Sequence, residues 1–342
     1  AKAERFIFLE YFILAEGKLW DELEKILCAK AREGVEVKII FDDFGNIKRF
    51  SGETIDRLRE VGVEVFIFNP VHEYVNRLHF NYRDHRKIAC IDGDVAYTGG
   101  VNIADEYANL IERFGYWKDS GVCLEGEGAW GLTASFIRMC VNLGGVMHNE
   151  HDYYRPHTPV KSEGFCQPFT DGPQNNPDNP AEDVFLQMIS GARRFLYITT
   201  PYFIPDESLM RALCIAGDGG VDVRLMLPGK PDHWYADCVA ESYFGELIKH
   251  GVKVYRYTPG FLHGKSIMVD REAAFVGSAN MDYRSFELDY ECGVMVYSAP
   301  MIESLLEDMD MIVDRSHLVT AEEWAKRSVL RRVFEPLLRL FA

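Results

Sequence analysis

The chain has 342 residues, enough for two domains of ordinary size, and its 37 Lys and Arg against 53 Asp and Glu give a formal charge of −16. That balance disfavours a general nucleic-acid binder, whose affinity rests on clustered cations, while a local basic pocket stays compatible with it.

Apolar runs of four to eight residues alternate with helical patterns along the chain. Phe6–Phe12 reads as a strand, Leu19–Arg32 as a helix ending before Gly34, and Val35–Phe41 as a strand. Ile55–Glu60 closes a second helix and Val63–Phe68 is the next strand.

A hairpin then carries His85-Arg-Lys87-Ile-Ala-Cys-Ile-Asp92, followed by Gly99-Gly100-Val-Asn102. Successive strand side chains point to opposite faces, so His85 and Lys87 present imidazole and ammonium together. Asp92-Gly93 makes the turn, the small pair at Gly99-Gly100 permits close backbone approach, and Asn102 can supply an amide to the same pocket.

From His148 to Pro180 the chain is rich in Pro, Asn, Asp, His and Gly, as an interdomain crossing with an exposed loop would be. Phe165–Phe169 within it fits an edge strand of the second domain. His148 and His151 have a spacing that could hold a metal, but their surroundings read as exposed loop, and no metal is expected.

The second half repeats the first with Phe195–Thr200, Leu209–Ile215, Val221–Leu227, Trp234–Lys249 and Val252–Tyr257. The hairpin returns as His263-Gly-Lys265-Ser-Ile-Met-Val-Asp270 with Gly277-Ser278-Ala-Asn280. Gly34–Phe41 resembles Gly220–Leu227, Gly62–Phe66 resembles Gly251–Tyr255, and Leu9–Ile13 matches Thr200–Ile204, all in the same order. A whole domain is therefore duplicated, giving an α/β chain with a first domain at 1–155 and a linker plus second domain at 156–342.

Glu322–Phe341 interleaves Trp324, Val329, Val333, Leu337 and Phe341 with arginines at roughly helical spacing. It reads as an amphipathic C-terminal helix, either packed on the core or lying on a membrane surface. The eight cysteines lack paired or metal-ligand spacing and read as reduced thiols in a cytoplasm-facing protein. No apolar run of about 18 residues encodes a membrane span. The chain starts at Ala1 directly before a strand, while Gly164–Gly191 precedes the matching strand of the second half without a counterpart, so upstream sequence and an anchor within it are expected.

Two His, two Lys and two Asn meeting in one pocket suit a phosphodiester. Ammonium and amide groups stabilise phosphoryl oxygens, and two imidazoles divide nucleophilic and acid–base work, since imidazole takes both protonation states near neutrality. Each ring also needs a carboxylate to fix its tautomer, and Asp119 and Glu291 lie at comparable distances after His85 and His263 respectively.

The doubled H-x-K-x-x-x-x-D with G-[GS]-x-N resembles the phospholipase D superfamily and, within it, bacterial cardiolipin synthases. Phe261–Lys265, Asp282–Phe286 and Pro201–Pro205 carry the narrower likeness. The resemblance implies two tandem phospholipase D-like α/β sandwich domains with mixed, largely parallel sheets and pseudo-twofold symmetry. It implies transfer of a phosphatidyl group between two phosphatidylglycerol molecules through a phosphohistidine, without metal or cofactor, at the cytoplasmic face of the inner membrane, while the acidic charge argues against a nucleic-acid partner. By the same likeness His85 is nucleophile and His263 general acid, each in a catalytic set with Lys87 and Asp92 or with Lys265 and Asp270. Lys87, Lys265, Asn102, Asn280, Gly100 and Ser278 would bind the phosphate group, and Asp119 and Glu291 would orient the histidines. Asp92 and Asp270 sit at turns, which points to a structural part in the motif. A hydrolase, a serine-accepting transferase, a nuclease of the same fold and an inactive scaffold are the competing readings.

Overall fold

The computed structural model describes residues 1–71, 80–149, 152–161, 164–327 and 338–339. In the first half the chain runs β1 (Phe6–Tyr11), α1 (Lys18–Arg32), β2 (Glu36–Asp42), α2 (Asp43–Asn46), α3 (Gly52–Glu60), β3 (Glu64–Phe68) and β4 (Arg83–Asp84). It continues through β5 (Lys87–Ile91), β6 (Val95–Gly99), β7 (Tyr116–Lys118), β8 (Gly121–Glu125) and α4 (Trp130–Asn142). The second half begins with β9 (Phe165–Asp171), α5 (Pro180–Gly191), β10 (Phe195–Thr199), β11 (Phe203–Ile204), α6 (Glu207–Asp218), β12 (Asp222–Pro228) and α7 (Trp234–Lys249). It ends with β13 (Lys253–Tyr257), β14 (Gly260–Leu262), β15 (Ser266–Val269), β16 (Ala273–Gly277), β17 (Met281–Asp282), α8 (Tyr283–Glu287), β18 (Asp289–Tyr297), α9 (Met301–Asp314), β19 (Ser316–Leu318) and α10 (Ala321–Ala325).

The first sheet has the order β3-β2-β1-β5-β6-β8, and the second contains β13-β12-β10-β15-β16-β18 in the corresponding places. Registers repeat as well as order. Phe6 faces Glu36 as Phe195 faces Asp222, Lys38 faces Glu64 as Arg224 faces Lys253, and Gly99 faces Gly121 as Gly277 faces Gly293. The α/β class, the duplication and the mixed sheets therefore stand. The expectation of largely parallel sheets does not: beyond the parallel β1-β2-β3 and β10-β12-β13 pairs, the hairpin strands pair antiparallel, and antiparallel pairs outnumber parallel ones in both sheets among the described residues. Tight hairpins can connect only antiparallel neighbours, which is why the motif half of each sheet takes that form.

Strand alternation sorts the apolar residues into separate cores. Ile7, Leu9 and Tyr11 face α1 and α3, whereas Phe6 and Phe8 face a central core that also holds Phe136, Tyr197, Met268, Val276, Leu306 and Met309. Phe8 stacks on Phe136 of α4 at 4.5 Å. The two sheets thus share one interior with α4 and α9, two helices outside the sequence reading. α5, α6 and α7 cover the outer face of the second sheet.

Phe165–Phe169 belongs to β9, which runs antiparallel to β18. The expected C-terminal helix is short where it is described: α10 spans Ala321–Ala325, Trp324 lies 5.4 Å from Phe244, and Trp324 and Leu338 join the core under α7. The remainder of Glu322–Phe341 at 328–337 and 340–342 lies outside the described residues, as does His151. No cysteine forms a disulfide among the described residues. Among the described residues no helix is long and apolar enough to cross a membrane.

The motif aspartates do something other than chemistry. Asp92 takes a positive φ of 56° at the hairpin turn, and its carboxylate accepts the backbone N–H groups of Glu4 (2.8 Å), Arg5 (2.7 Å) and Phe6 (2.8 Å). Asp270, φ 54°, does the same for Arg193 (2.8 Å), Arg194 (2.9 Å) and Phe195 (2.8 Å). Both sit a full strand away from the histidines, so their expected place in the catalytic set is corrected to that of ties between the hairpin and the start of β1 or β10. These bonds also correct the repeat: Phe6 matches Phe195, so Leu14 matches Phe203, and the letter match of Leu9–Ile13 with Thr200–Ile204 is two residues out. Asp270→Ala removes a charged acceptor from three N–H groups and is expected to lower stability by about 2–4 kcal/mol, read as a fall in the urea midpoint.

Candidate active site

Two short strands leave their own half. β4, just before His85, pairs in parallel with the start of β18, and β14, just before His263, pairs in parallel with β7. The His85 N–H donates to the Tyr290 carbonyl at 2.9 Å and the His263 N–H to the Lys118 carbonyl at 2.6 Å. Tyr290 and Lys118 immediately precede Glu291 and Asp119, so this register brings each histidine to the carboxylate of the other half.

The imidazoles complete the exchange. His85 Nδ1 lies 2.8 Å from Glu291 Oε1, and His263 Nδ1 lies 2.7 Å from Asp119 Oδ2. The spacing along the sequence associates Asp119 with His85 and Glu291 with His263; the structure reverses the partners. Local spacing carries no information about a strand that crosses to another sheet, so the sequence had no signal for the reversal. A carboxylate on Nδ1 fixes that nitrogen as the donor and leaves Nε2 with its lone pair toward the pocket.

Burial and the neighbouring cations set the charge. Burial, with the Lys87 ammonium assisting and Glu291 opposing, lowers His85 to about 4. His263 is lowered to about 3 by burial and Lys265, against Asp119. Burial and the Lys87 charge, against Asp119, bring Lys265 down to about 7, and burial also lowers Lys87. Burial works against the charge of Glu291, but His85 and Lys87 outweigh it and hold the carboxyl below its usual range; His263 and Lys265 do so for Asp119. Each lysine acts on both histidines, so the two motifs form one electrostatic site.

The copies are not identical. Each lysine donates to the carbonyl of its own histidine, but Lys265 Nζ also lies 2.9 Å from the His263 ring nitrogens. Ser278 Oγ donates to Glu291 and accepts the Cys292 N–H at 2.9 Å, so it braces the carboxylate behind His85. At Gly100 a Cβ would stand 2.1 Å from Asp119 Oδ1, which leaves room only for glycine. Gly100 and Ser278, expected at the phosphate group, stand against the carboxylates of Asp119 and Glu291.

Asn102 accepts the Ile13 N–H at 3.0 Å and donates to Tyr107 Oη at 2.8 Å, so one amide hydrogen remains for a ligand. Asn280 is buried with its Oδ1 unpartnered. Tyr107 meets the His263 ring edge-on at 5.3 Å and Phe12 meets His85 at 5.1 Å. Tyr107 stands five residues after the motif asparagine, where the second copy has Ser285.

His85, Asp289 and Glu291 place ligand atoms within 4.8 Å of one another, a geometry open to a cation. Glu291 already engages His85 Nδ1, and the ammonium groups of Lys87 and Lys265 oppose a second positive charge there. The same ammonium groups favour an anion.

The family described as cardiolipin synthase, PLD-like domain, matches residues 1–112 and 185–313. The chain belongs to this family. A cardiolipin synthase of Halalkalibacterium halodurans is 37% identical over 342 residues, covering 99% of this chain and 67% of that protein. A cardiolipin synthase of Clostridium perfringens is 37% identical over 350 residues, covering 99% of this chain and 72% of its own length. Among solved structures, the phosphatidylserine synthase of Haemophilus influenzae matches with a TM-score of 0.71 at 15% identity, over 99% of this chain and 87% of that one, a likeness of fold.

Proposed function

We propose that the chain is a cardiolipin synthase: a phosphatidyltransferase that takes the phosphatidyl group from one phosphatidylglycerol, releases glycerol, and passes the group to a second phosphatidylglycerol. The reciprocal pairing of His85 with Glu291 and of His263 with Asp119 carries this reading, because it gives one anion-attracting pocket two imidazoles held for opposite tasks. The family relationship supplies the substrate class. The site works at the inner membrane, with its catalytic halves facing the cytoplasm.

His85 is the nucleophile. Its lowered pKa keeps the ring neutral at physiological pH, and Glu291 stabilises the positive charge that develops on attack. The new bond joins His85 Nε2 to phosphorus, and the bond to the glycerol oxygen breaks. His263 transfers a proton to that oxygen and later recovers one from the 3′-hydroxyl side of the second glycerol headgroup, whose oxygen displaces His85. His263 alone would be neutral above pH about 3, but Lys265 stands in contact with it and is poised to hold a proton up to about 7, so the pair functions as the acid. Lys87, Lys265, Asn102 and Asn280 offset charge on the phosphoryl oxygens.

Incubating the protein with phosphatidylglycerol vesicles and no added metal should yield cardiolipin and glycerol in equal amounts. Phosphatidic acid in place of cardiolipin would mark a hydrolase, and transfer to serine in preference to phosphatidylglycerol would mark a serine-accepting enzyme. For monomeric substrate, kcat/KM should fall as pH drops through about 4, where His85 takes a proton and cannot attack. It should fall again as pH rises through about 7, where Lys265 loses its charge and the pair its proton. Lys265→Arg should displace the upper limb while lowering the plateau.

A further inference from the structure

Three segments that touch the site also carry large apolar side chains into solvent. α2 docks through Asn46 on the Phe12 carbonyl (2.9 Å) and the Leu14 N–H (2.7 Å), beside the ring that meets His85, and it exposes Phe44 and, just after it, Ile47. The loop between Tyr107 and Trp117, both against the His263 ring, is closed by the Asn109 side chain on the Trp117 backbone and exposes Leu110 and Ile111. The segment after β12 holds Asp232, which acts on Lys265 and accepts the Tyr202 hydroxyl at 2.6 Å, and it exposes Trp234 and Tyr235.

These six side chains are between 46% and 66% exposed, and none belongs to any of the three cores. Apolar groups gathered at a pocket mouth on otherwise polar loops mark an interaction surface. Their location after β2 and after the equivalent β12 places one set on each half.

The charge nearby narrows the partner. Lys48 follows Ile47 and Lys230 lies four residues before Trp234, on a chain whose formal charge is −16, whereas Arg113 beyond Ile111 is paired with Glu106 at 3.1 Å. Lys48 and Lys230 are exposed. Cations interleaved with Trp, Tyr, Leu and Ile fit the headgroup boundary of an anionic bilayer. Substrate geometry agrees: His263 is buried and the His85 side chain is only 13% exposed, so a headgroup reaching them leaves its acyl chains at the mouth, where apolar surroundings are required.

We infer that Phe44, Ile47, Leu110, Ile111, Trp234 and Tyr235 form a docking rim that seats the pocket mouth on an anionic lipid surface. The inference rests on the phosphatidyltransferase reading for the orientation of the substrate. Insertion of the rim brings the phosphodiester to the histidines without withdrawing the acyl chains from the bilayer.

The test is co-sedimentation of the full chain with phosphatidylglycerol vesicles, alongside turnover of monomeric dihexanoyl phosphatidylglycerol. A Leu110→Ser, Ile111→Ser, Trp234→Ser variant is expected to lose vesicle affinity by about 30-fold or more with turnover of the monomeric substrate unchanged. Phe44→Ser with Ile47→Ser, on the other half, should weaken binding in the same way, so misfolding of one variant does not decide the matter. Lys48→Glu with Lys230→Glu should weaken binding to phosphatidylglycerol vesicles and leave binding to phosphatidylcholine vesicles unaltered. Wild-type vesicle affinity in both apolar variants would overturn the inference, as would a wild-type protein that ignores vesicles but self-associates through these residues. Vesicle binding that follows the rim, with no cardiolipin made by any form, would sink the functional reading and leave the rim standing.

Discussion

His85→Ala is expected to abolish turnover and with it any acid-labile phosphoenzyme, while His263→Ala lowers turnover by about 10⁴-fold and keeps the intermediate. The difference follows from the tasks assigned to the two rings. Without His85 there is no nitrogen to bond phosphorus. Without His263 the attack can still occur, but no ring relays the Lys265 proton to the glycerol oxygen, which leaves with its negative charge largely unquenched. A phosphodiester with a p-nitrophenyl leaving group needs no such proton, so its burst of nitrophenol should survive in His263→Ala and vanish in His85→Ala. Rapid acid quench with a labelled phosphatidyl group reads both. An intermediate trapped in His85→Ala and missing in His263→Ala would exchange the roles.

The second large effect concerns the carboxylates. Glu291→Gln should lower turnover of phosphatidylglycerol by about 10³–10⁴-fold, because the amide cannot stabilise positive charge on His85 and permits the wrong tautomer. Since the loss falls on the nucleophile, a p-nitrophenyl leaving group should not restore the burst. Asp119→Asn should cost a similar amount with phosphatidylglycerol but recover most of it with the activated substrate, because Asp119 pairs with His263, the proposed acid. Pairing within each half would give the opposite pattern of rescue, so leaving-group sensitivity reports on the crossing directly.

The particular elements explain what the sequence could carry. Trp234–Lys249 and Val252–Tyr257 were legible because their apolar residues follow helix and strand periods without tertiary help. The His85 and Lys87 pair was legible as a shared strand face, and its duplication at His263 and Lys265 pointed to a shared pocket. The crossing of β4 and β14 was not legible: two- and three-residue strands have no period, and their partners lie more than a hundred residues away. α4 was not legible for another reason: it buries Leu132, Phe136, Met139 and Cys140 on one face, but its opposite face carries Gly131, Ala134 and Val141 with Arg138 as the single charge, so the polar stripe is faint. The two-residue error at Leu9–Ile13 arose from matching letters in Tyr-Phe-Ile, where the hydrogen bonds of Asp92 and Asp270 define the true frame. Asn102 shows the limit at a single residue: the motif identifies its amide, and only the fold reveals that Ile13 and Tyr107 already claim part of it.

The reciprocal docking of β4 on β18 and β14 on β7 also bears on concentration. One copy of the motif lacks the carboxylate for its own histidine and would need an encounter with a second molecule to acquire it. With both copies on one polypeptide, that encounter is intramolecular and its effective concentration is on the order of millimolar or above. The rate per molecule should therefore remain constant on dilution in monomeric substrate, where a site assembled from two separate chains would fade as its pieces drift apart.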